Sequence, residues 1–571
     1  MDGGHALLKI IERAQIDTVV SSPGSEWPPV WEAFAELAGR GITRPSFVNC
    51  RHEALAVAVA AGYTKVTGRP QVVLLHATAG PLNAAMMLRA AQQERIPMVV
   101  CAGETMSFGE DDRTPDPGGQ WIHDLCDLGG PSDMLRRCVK WAERIVSPSI
   151  LTVSVDRAIQ IAQEPPAGPV LLSMPFEMLM EEVRLAEYAR PNQAVRAEGI
   201  DDKAVDRAVE LLLSADHPVV VTENLGRSEN AVQRLVELCE LLSIPVMESY
   251  RPAFLNFPRD HALYLSYDRS FLEESDLIIA AGAVTPWYPA SKAPKPATQV
   301  LLIDEEFPYS RLPFWGYEVD LALVAPPAVT LEKLVGRVRS SEKLKINDPI
   351  YEKRLRASRE MHEKETAACR EQAEAHSKDT PIDPCWLCHV LNETLPQDAV
   401  IVEETTTHRA LIQNMIRRSR PMSHFGRITG GLGVGLGYAL GVKLAMKDRP
   451  VFTLIGDGAF HYNPVPSCLG LAQEYDLPIA VVLFNNGRYR SMERSLLKYF
   501  PSGSAHKTGV HYGSPIDPSP DYRLLAEAYG GFGIRVDKPE EIEPAMHEAM
   551  TYLRHGHLVL MDVRLNDYTP R

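Results

Sequence analysis

A Gly-Asp-Gly triplet at 456–458 and an Asn-Asn pair at 485–486, with 26 residues between them, constrain this chain more than any other feature. The triplet ends an apolar run at 450–455, and the pair ends a second at 477–484. Short apolar runs of this kind read as buried strands, and the segment between them reads as a helix. A strand, helix, strand unit brings both motifs to one edge of a parallel sheet. There Asp457 and Asn486 offer hard oxygen ligands side by side, as a Mg²⁺ ion carrying a diphosphate requires. The glycines let backbone N–H groups approach phosphate oxygens at a helix start.

The same alternation runs through the whole chain. Residues 1–185 read as helix and strand in turn, with strands at 17–22, 46–50, 71–76, 96–102 and 169–174. A second α/β block occupies 195–340. Its glycine loop, Asn224-Leu225-Gly226, is too sparse for a dinucleotide fingerprint, which argues against NAD. Charged, helix-prone residues at 341–380 read as a linker with a solvated face, and a third α/β block covers 381–571. The expected fold class is therefore α/β, with three doubly wound parallel-sheet domains.

Composition removes several classes of function. The net charge of −15 argues against a nucleic-acid partner and offers no basic arm for a membrane surface. No apolar stretch reaches spanning length and the first residues run into a helix without a signal-peptide plan, so cytoplasm is expected. Nine cysteines, an odd number, form no disulfide framework. Cys385 and Cys388 follow Asp383-Pro384, an N-cap and first helical residue, and no second pair completes a zinc site; a structural role is expected.

The paired motif at this spacing, with two α/β domains flanking a third, resembles the thiamine-diphosphate decarboxylase and acetolactate-synthase superfamily over nearly the whole chain. The resemblance implies thiamine diphosphate and Mg²⁺ as cofactors, a pyrimidine-binding N-terminal domain, a Rossmann-like central domain and a diphosphate-binding C-terminal domain. It gives the metal to Asp457, Asn486 and the carbonyl of Arg488. It gives the diphosphate to Gly456, Gly458, Ala459, Phe460, Tyr489 and the 404–407 loop with Glu404, Thr406 and Thr407. Gly430 is expected to meet the cofactor's amino group through its carbonyl, and Leu432 to be the wedge that bends the cofactor. Glu53, between a strand and a helix in Cys50-Arg51-His52-Glu53, would hydrogen-bond the aminopyrimidine, so burial is expected for it. Asn83 matches a turn near that ring.

Two further stretches resemble benzoylformate decarboxylase: Pro23-Gly24-Ser25-Glu26, implying Ser25 as an active-site serine, and the run 75–80, implying His76 as a proton shuttle. Where that family has a central-domain histidine, residues 284–289 offer none. The stretches 116–121, 129–131 and 486–493 look instead like actinobacterial 2-hydroxyacyl-CoA lyases. There Met492 would crowd the acyl pocket. Glu493 has two readings, a proton acceptor or a solvent-facing partner of Arg490 or Arg494. The implied activity is a lyase cleaving a C–C bond beside a carbonyl, a 2-oxo-acid decarboxylase or 2-hydroxyacyl-CoA lyase; the alternative is an acetolactate-synthase-type carboligase. Pyrimidine-side and metal-side residues lie in different domains, and the resemblance implies that they meet across a subunit interface, so a homodimer or homotetramer is expected, with a small-molecule substrate.

Overall fold

A computed structural model describes residues 1–104, 129–183, 199–249, 251–266, 269–288, 293–313, 315–345, 348–426 and 431–567. They build three six-stranded parallel sheets, each with helices on its faces. The first comprises β1 (Thr18–Ser21), β2 (Ser46–Asn49), β3 (Gln71–Leu75), β4 (Met98–Glu104), β5 (Trp141–Arg144) and β6 (Pro169–Pro175), in the order β2-β1-β3-β4-β6-β5. Strands β1, β3, β4 and β6 are buried at every position, as covered parallel strands must be.

The central sheet comprises β7 (Pro218–Thr222), β8 (Val246–Glu248), β9 (Tyr264–Leu265), β10 (Leu277–Ala281), β11 (Gln299–Asp304) and β12 (Leu321–Val324). Its order, β9-β8-β7-β10-β11-β12, is that of a Rossmann sheet, with the strand order reversing between β7 and β10. The third sheet comprises β13 (Val400–Glu404), β14 (His424–Phe425), β15 (Val451–Gly456), β16 (Ala480–Asn485), β17 (Phe532–Val536) and β18 (Val559–Arg564), in the order β14-β13-β15-β16-β18-β17. The first and third sheets share one plan, in which the order reverses beside the first strand. Ligands of such sheets sit outside the carboxyl ends of the strands at that reversal.

The outer domains pack on each other through two helices, Glu53–Thr67 and Gly435–Ala445, whose backbones nearly touch. A Cβ on Gly62 would stand 2.3 Å from the Tyr438 carbonyl oxygen, and one on Gly441 would stand 2.1 Å from that of Val59. Beside this crossing a buried ion pair, Lys65 Nζ to Glu94 at 2.6 Å, donates further to the Gly426 carbonyl at 2.9 Å and lies over Phe254 of the central domain. Residues expected as a linker form one 27-residue helix, Pro349–Ala375, with only Ser358 and Ala373 buried. Arg354 ties it to the carbonyls of Asp216 and Leu242, and His362 meets Arg417 at 2.8 Å. Among the described residues no helix is long and apolar enough to cross a membrane.

Cys385 and Cys388 lie buried in the opening turns of the Pro384–Thr394 helix, whose N-cap Asp383 accepts the Cys385 N–H at 2.8 Å. Burial pushes both thiols up, away from the reactive thiolate.

Candidate active site

Strands β15 and β16 are hydrogen-bonded neighbours, and Gly456 is paired with Phe484, so both motifs leave the sheet at one edge. Gly456 caps a single helical turn, Asp457–Phe460. A cavity of about 450 Å³ opens there. It is lined from the turn after β13 by Thr406 and Thr407, from the glycine-rich turn by Leu432, and from the motif ends by Gly456, Asp457, Gly458, Ala459, Asn486, Arg488 and Tyr489.

Asp457 is the chemically decisive group. Its Oδ1 accepts the Gly458 N–H at 2.9 Å, while Oδ2 is buried with no hydrogen-bond partner among the described residues. Burial pushes its carboxyl up to about 6, against the pull of nearby backbone N–H groups on Gly458, Gly487 and Arg488. An orphaned carboxylate oxygen in such a place is costly unless a cation meets it. The carboxamide of Asn486 stands beside it, its Oδ1 accepting the Arg488 N–H at 3.2 Å. Oxygen donors of this type suit a hard divalent ion. Gly458 is needed as glycine, since a Cβ there would lie 2.7 Å from the Tyr489 ring.

Not every expected residue reaches this cavity. Glu404 is fully buried and accepts N–H groups from Gly433 at 2.7 Å and Gly435 at 2.8 Å, with the Asn463 amide at 3.0 Å. It fastens the glycine-rich turn and does not line the cavity. Phe460 points into the core against Tyr522, with 5.5 Å between ring centroids, so only its backbone remains for a ligand. Gly430 and the 116–121 stretch lie outside the described residues. Of the 460–464 loop, Tyr462 lines the cavity and Asn463 turns inward.

Glu493 is neither free nor solvent-facing. It is the buried residue of the Arg490–Tyr499 helix, and its oxygens meet Arg490 Nη1, Arg488 Nη1 at 3.3 Å, His511 Nδ1 at 3.3 Å and the Ser514 hydroxyl at 3.1 Å. The carboxylate collects donors from three segments and fixes the backbone that follows Asn486. The Ser514 backbone carbonyl accepts the Tyr489 N–H, at 2.7 Å.

A second constellation sits at the carboxyl edge of the first sheet, where β2, β1 and β3 end side by side. Glu53 opens the helix after β2, and its Oε2 accepts from Asn83 Nδ2 at 2.7 Å. It is half-buried in the single chain rather than buried as expected, because this edge faces outward. His76 follows β3, Ser25 follows β1, and Gly80 lies against both Glu53 and Leu75. His76 Nδ1 lies 2.8 Å from Oε2 of Glu26, a residue to which the sequence reading gave no role. Among the described residues, none of Ser25, Glu53, His76 and Asn83 lines the cavity at Asp457.

The central domain contributes Arg251 to that cavity, also unforeseen. Val284 and Thr285 face a different cavity, of about 880 Å³, which Arg251 also lines. Buried Glu223, at the end of β7, accepts the Val284 N–H at 3.0 Å and that of Thr285 at 3.4 Å across the β7/β10 reversal. Burial pushes its carboxyl up to about 7.

Three family models match the chain in order: the N-terminal TPP binding domain of thiamine pyrophosphate enzymes over residues 1–121, their central domain over 205–334, and their C-terminal TPP binding domain over 404–563. The chain belongs to the thiamine-diphosphate-dependent enzymes. Benzoylformate decarboxylase of Pseudomonas aeruginosa is 27% identical over 95% of this chain and 96% of its own length. The large subunit of acetolactate synthase isozyme 3 of Escherichia coli is 26% identical, over 99% of this chain and 95% of its own. A solved thiamine-diphosphate-dependent 4-hydroxybenzoylformate decarboxylase of Rhodococcus jostii superposes with a TM-score of 0.80 at 25% identity, covering 99% of each chain. In a thiamine-diphosphate enzyme the cavity at β13, β15 and β16 falls within the C-terminal cofactor domain, and the Glu53 edge within the N-terminal one.

Proposed function

We propose that this enzyme is a Mg²⁺-dependent lyase that breaks the bond between a carbonyl carbon and an adjacent carboxylate, a 2-oxo-acid decarboxylase. The observation that carries the reading is the grouping of Ser25 and His76 beside Glu53 and Asn83 at one sheet edge. When bound, thiamine diphosphate supplies the electron sink for the broken bond. Asp457, the Asn486 carboxamide and the Arg488 carbonyl would hold the metal, with Thr406, Thr407 and Gly458 at the diphosphate and Leu432 under the bend of the cofactor. Glu53 would hold a proton at the pyrimidine ring. Ser25 would orient the substrate carboxylate, and His76 would carry a proton to or from the reacting carbon.

The kinship with benzoylformate and 4-hydroxybenzoylformate decarboxylases favours an aryl 2-oxo acid. A carboligase of the acetolactate-synthase type is the second reading, favoured by full-length similarity to that enzyme. Among the described residues, Ser25, Glu53, His76 and Asn83 do not line the cavity at Asp457, which supports a dimer in which each copy completes the other's site. Mass spectrometry of products from a panel of 2-oxo acids and 2-hydroxyacyl-CoAs, with and without an aldehyde acceptor, tests the reading. Aldehyde and CO₂ from an aryl 2-oxo acid are expected; acetohydroxy acid formation with a flavin spectrum would contradict it.

A further inference from the structure

The N-terminal half-site holds one carboxylate whose placement is too deliberate for chance. Glu26 follows Ser25, is fully buried, and sets Oε2 2.8 Å from Nδ1 of His76, whose own side chain is 35% exposed. The other oxygen, Oε1, is buried without a hydrogen bond among the described residues. Two backbone positions leave out a side chain where this carboxylate lies. A Cβ on Gly103 of β4 would come 2.6 Å from Cβ of Glu26. One on Gly24 would come 2.8 Å from its Oε2 and 2.9 Å from Cβ of His76. The strand end that carries His76 is held from the same side, since the Trp27 indole N–H donates to the Leu75 carbonyl at 3.1 Å. Burying a carboxylate costs several kcal/mol unless a partner meets it, and His76 is that partner.

We propose that Glu26 is the positioning residue of His76. Its carboxylate accepts the hydrogen bond from Nδ1–H, so the neutral ring carries its lone pair on Nε2, the nitrogen left for a ligand. A base whose second nitrogen is held by a buried carboxylate has a fixed tautomer and ring orientation, which a proton carrier at a reacting carbon needs. The charged groups facing His76 are Glu26 and Glu53, and both favour the imidazolium. The hydrogen bond to Glu26 contributes most, burial opposes it, and the net effect raises the His76 pKa. Glu26 therefore decides both which nitrogen works and over what pH range. The catalytic part rests on the lyase reading above; the pairing itself does not.

The test uses the cofactor-free full chain and the holoenzyme. In the first, the imidazole Cε1–H of His76, identified by its loss in His76→Ala, is titrated by NMR. The wild type should titrate above 6.5, the ordinary value. Glu26→Gln, which keeps the volume and removes the charge, should lower that midpoint by about one pH unit. Glu26→Asp should restore part of the shift. In the holoenzyme turning over an aryl 2-oxo acid, the acid limb of kcat should move down by the same amount in Glu26→Gln. The retention of thiamine diphosphate should be unchanged. A Glu26→Gln variant that melts like the wild type and leaves the His76 midpoint unmoved would overturn the proposal. If it is poorly folded, an unshifted midpoint in Glu26→Asp together with a wild-type value at or below 6.5 would do so. A shifted midpoint in a protein that decarboxylates no 2-oxo acid would sustain the pairing and remove the lyase reading instead.

Discussion

Asp457 and Asn486 were legible in the sequence because each lies next to the strand that carries it, so two local patterns fixed their common edge. Glu493 was not. Its surroundings are Arg488, Arg490, His511 and Ser514, contributed by a loop, a helix and a distant return of the chain. A glutamate on a charged helix looks solvent-facing until the 511–514 segment is folded over it. Nor did Glu26 announce its partner, which lies 50 positions away on the next strand of the sheet. Glu404 misled for the opposite reason: its strand-end position resembles a phosphate loop, yet its carboxylate is spent on the helix start. Replacing Glu493 by Ala should take the buried carboxylate from Arg490, His511 and Ser514 and leave Arg488 with its second anion, Asp567, at 3.3 Å. The expected cost is about 3 kcal/mol, read as a lower melting temperature of the cofactor-free protein. A melting temperature equal to the wild type's would mean that the cage contributes no stability.

Among the elements, the buried strands and the edge strand β2 were readable, and most other sheet edges were not. Strand β5 is four residues, Trp141–Arg144, half of them exposed, and β14 is only two. Such edges carry too little apolar pattern to separate from loop. The packing of helix on helix was equally invisible, since a glycine at 62 or 441 reads as a weak helix position until its neighbour's backbone is seen against it. Gly441→Ala drives a Cβ onto the Val59 carbonyl oxygen and the Tyr63 nitrogen, at 2.1 and 2.7 Å. It should cost about 3 kcal/mol, the upper end for overpacking, because backbone cannot move aside as a side chain can. Gly336→Ala is the control. It lies inside the Pro327–Arg339 helix with nothing within 4 Å of its added Cβ, and should gain about 1 kcal/mol. Thermal melting of both variants checks the pair; equal shifts would contradict the close crossing.

On the scale of the molecule, α/β alternation predicted three doubly wound domains, and three parallel sheets of six strands are found. Strand order, which decides where a ligand can sit, came only from the structure. It shows Glu223 at the central reversal point, accepting the Val284 and Thr285 N–H groups at the wall of the 880 Å³ cavity. That carboxyl is held up at about 7 from an ordinary 4.5. A carboxyl raised in the folded state supports folding fully below its unfolded value and loses that support as pH climbs through the folded one. Glu223→Gln, which cannot ionise, should therefore come closest to the wild type toward acid, near pH 5. Above pH 7 it should be the more stable by about 3 kcal/mol at most. Melting temperatures recorded from pH 5 to 8 check this, and a difference that stays flat or grows toward acid would refute it.

The most direct measurement is calorimetric titration of thiamine diphosphate into metal-free protein, with and without Mg²⁺, for the wild type and Asp457→Ala. Binding by the wild type that needs Mg²⁺, and its loss by at least about a hundredfold in Asp457→Ala, is the predicted result. Equal affinity with and without the metal, or cofactor retained undiminished by Asp457→Ala, would contradict the account.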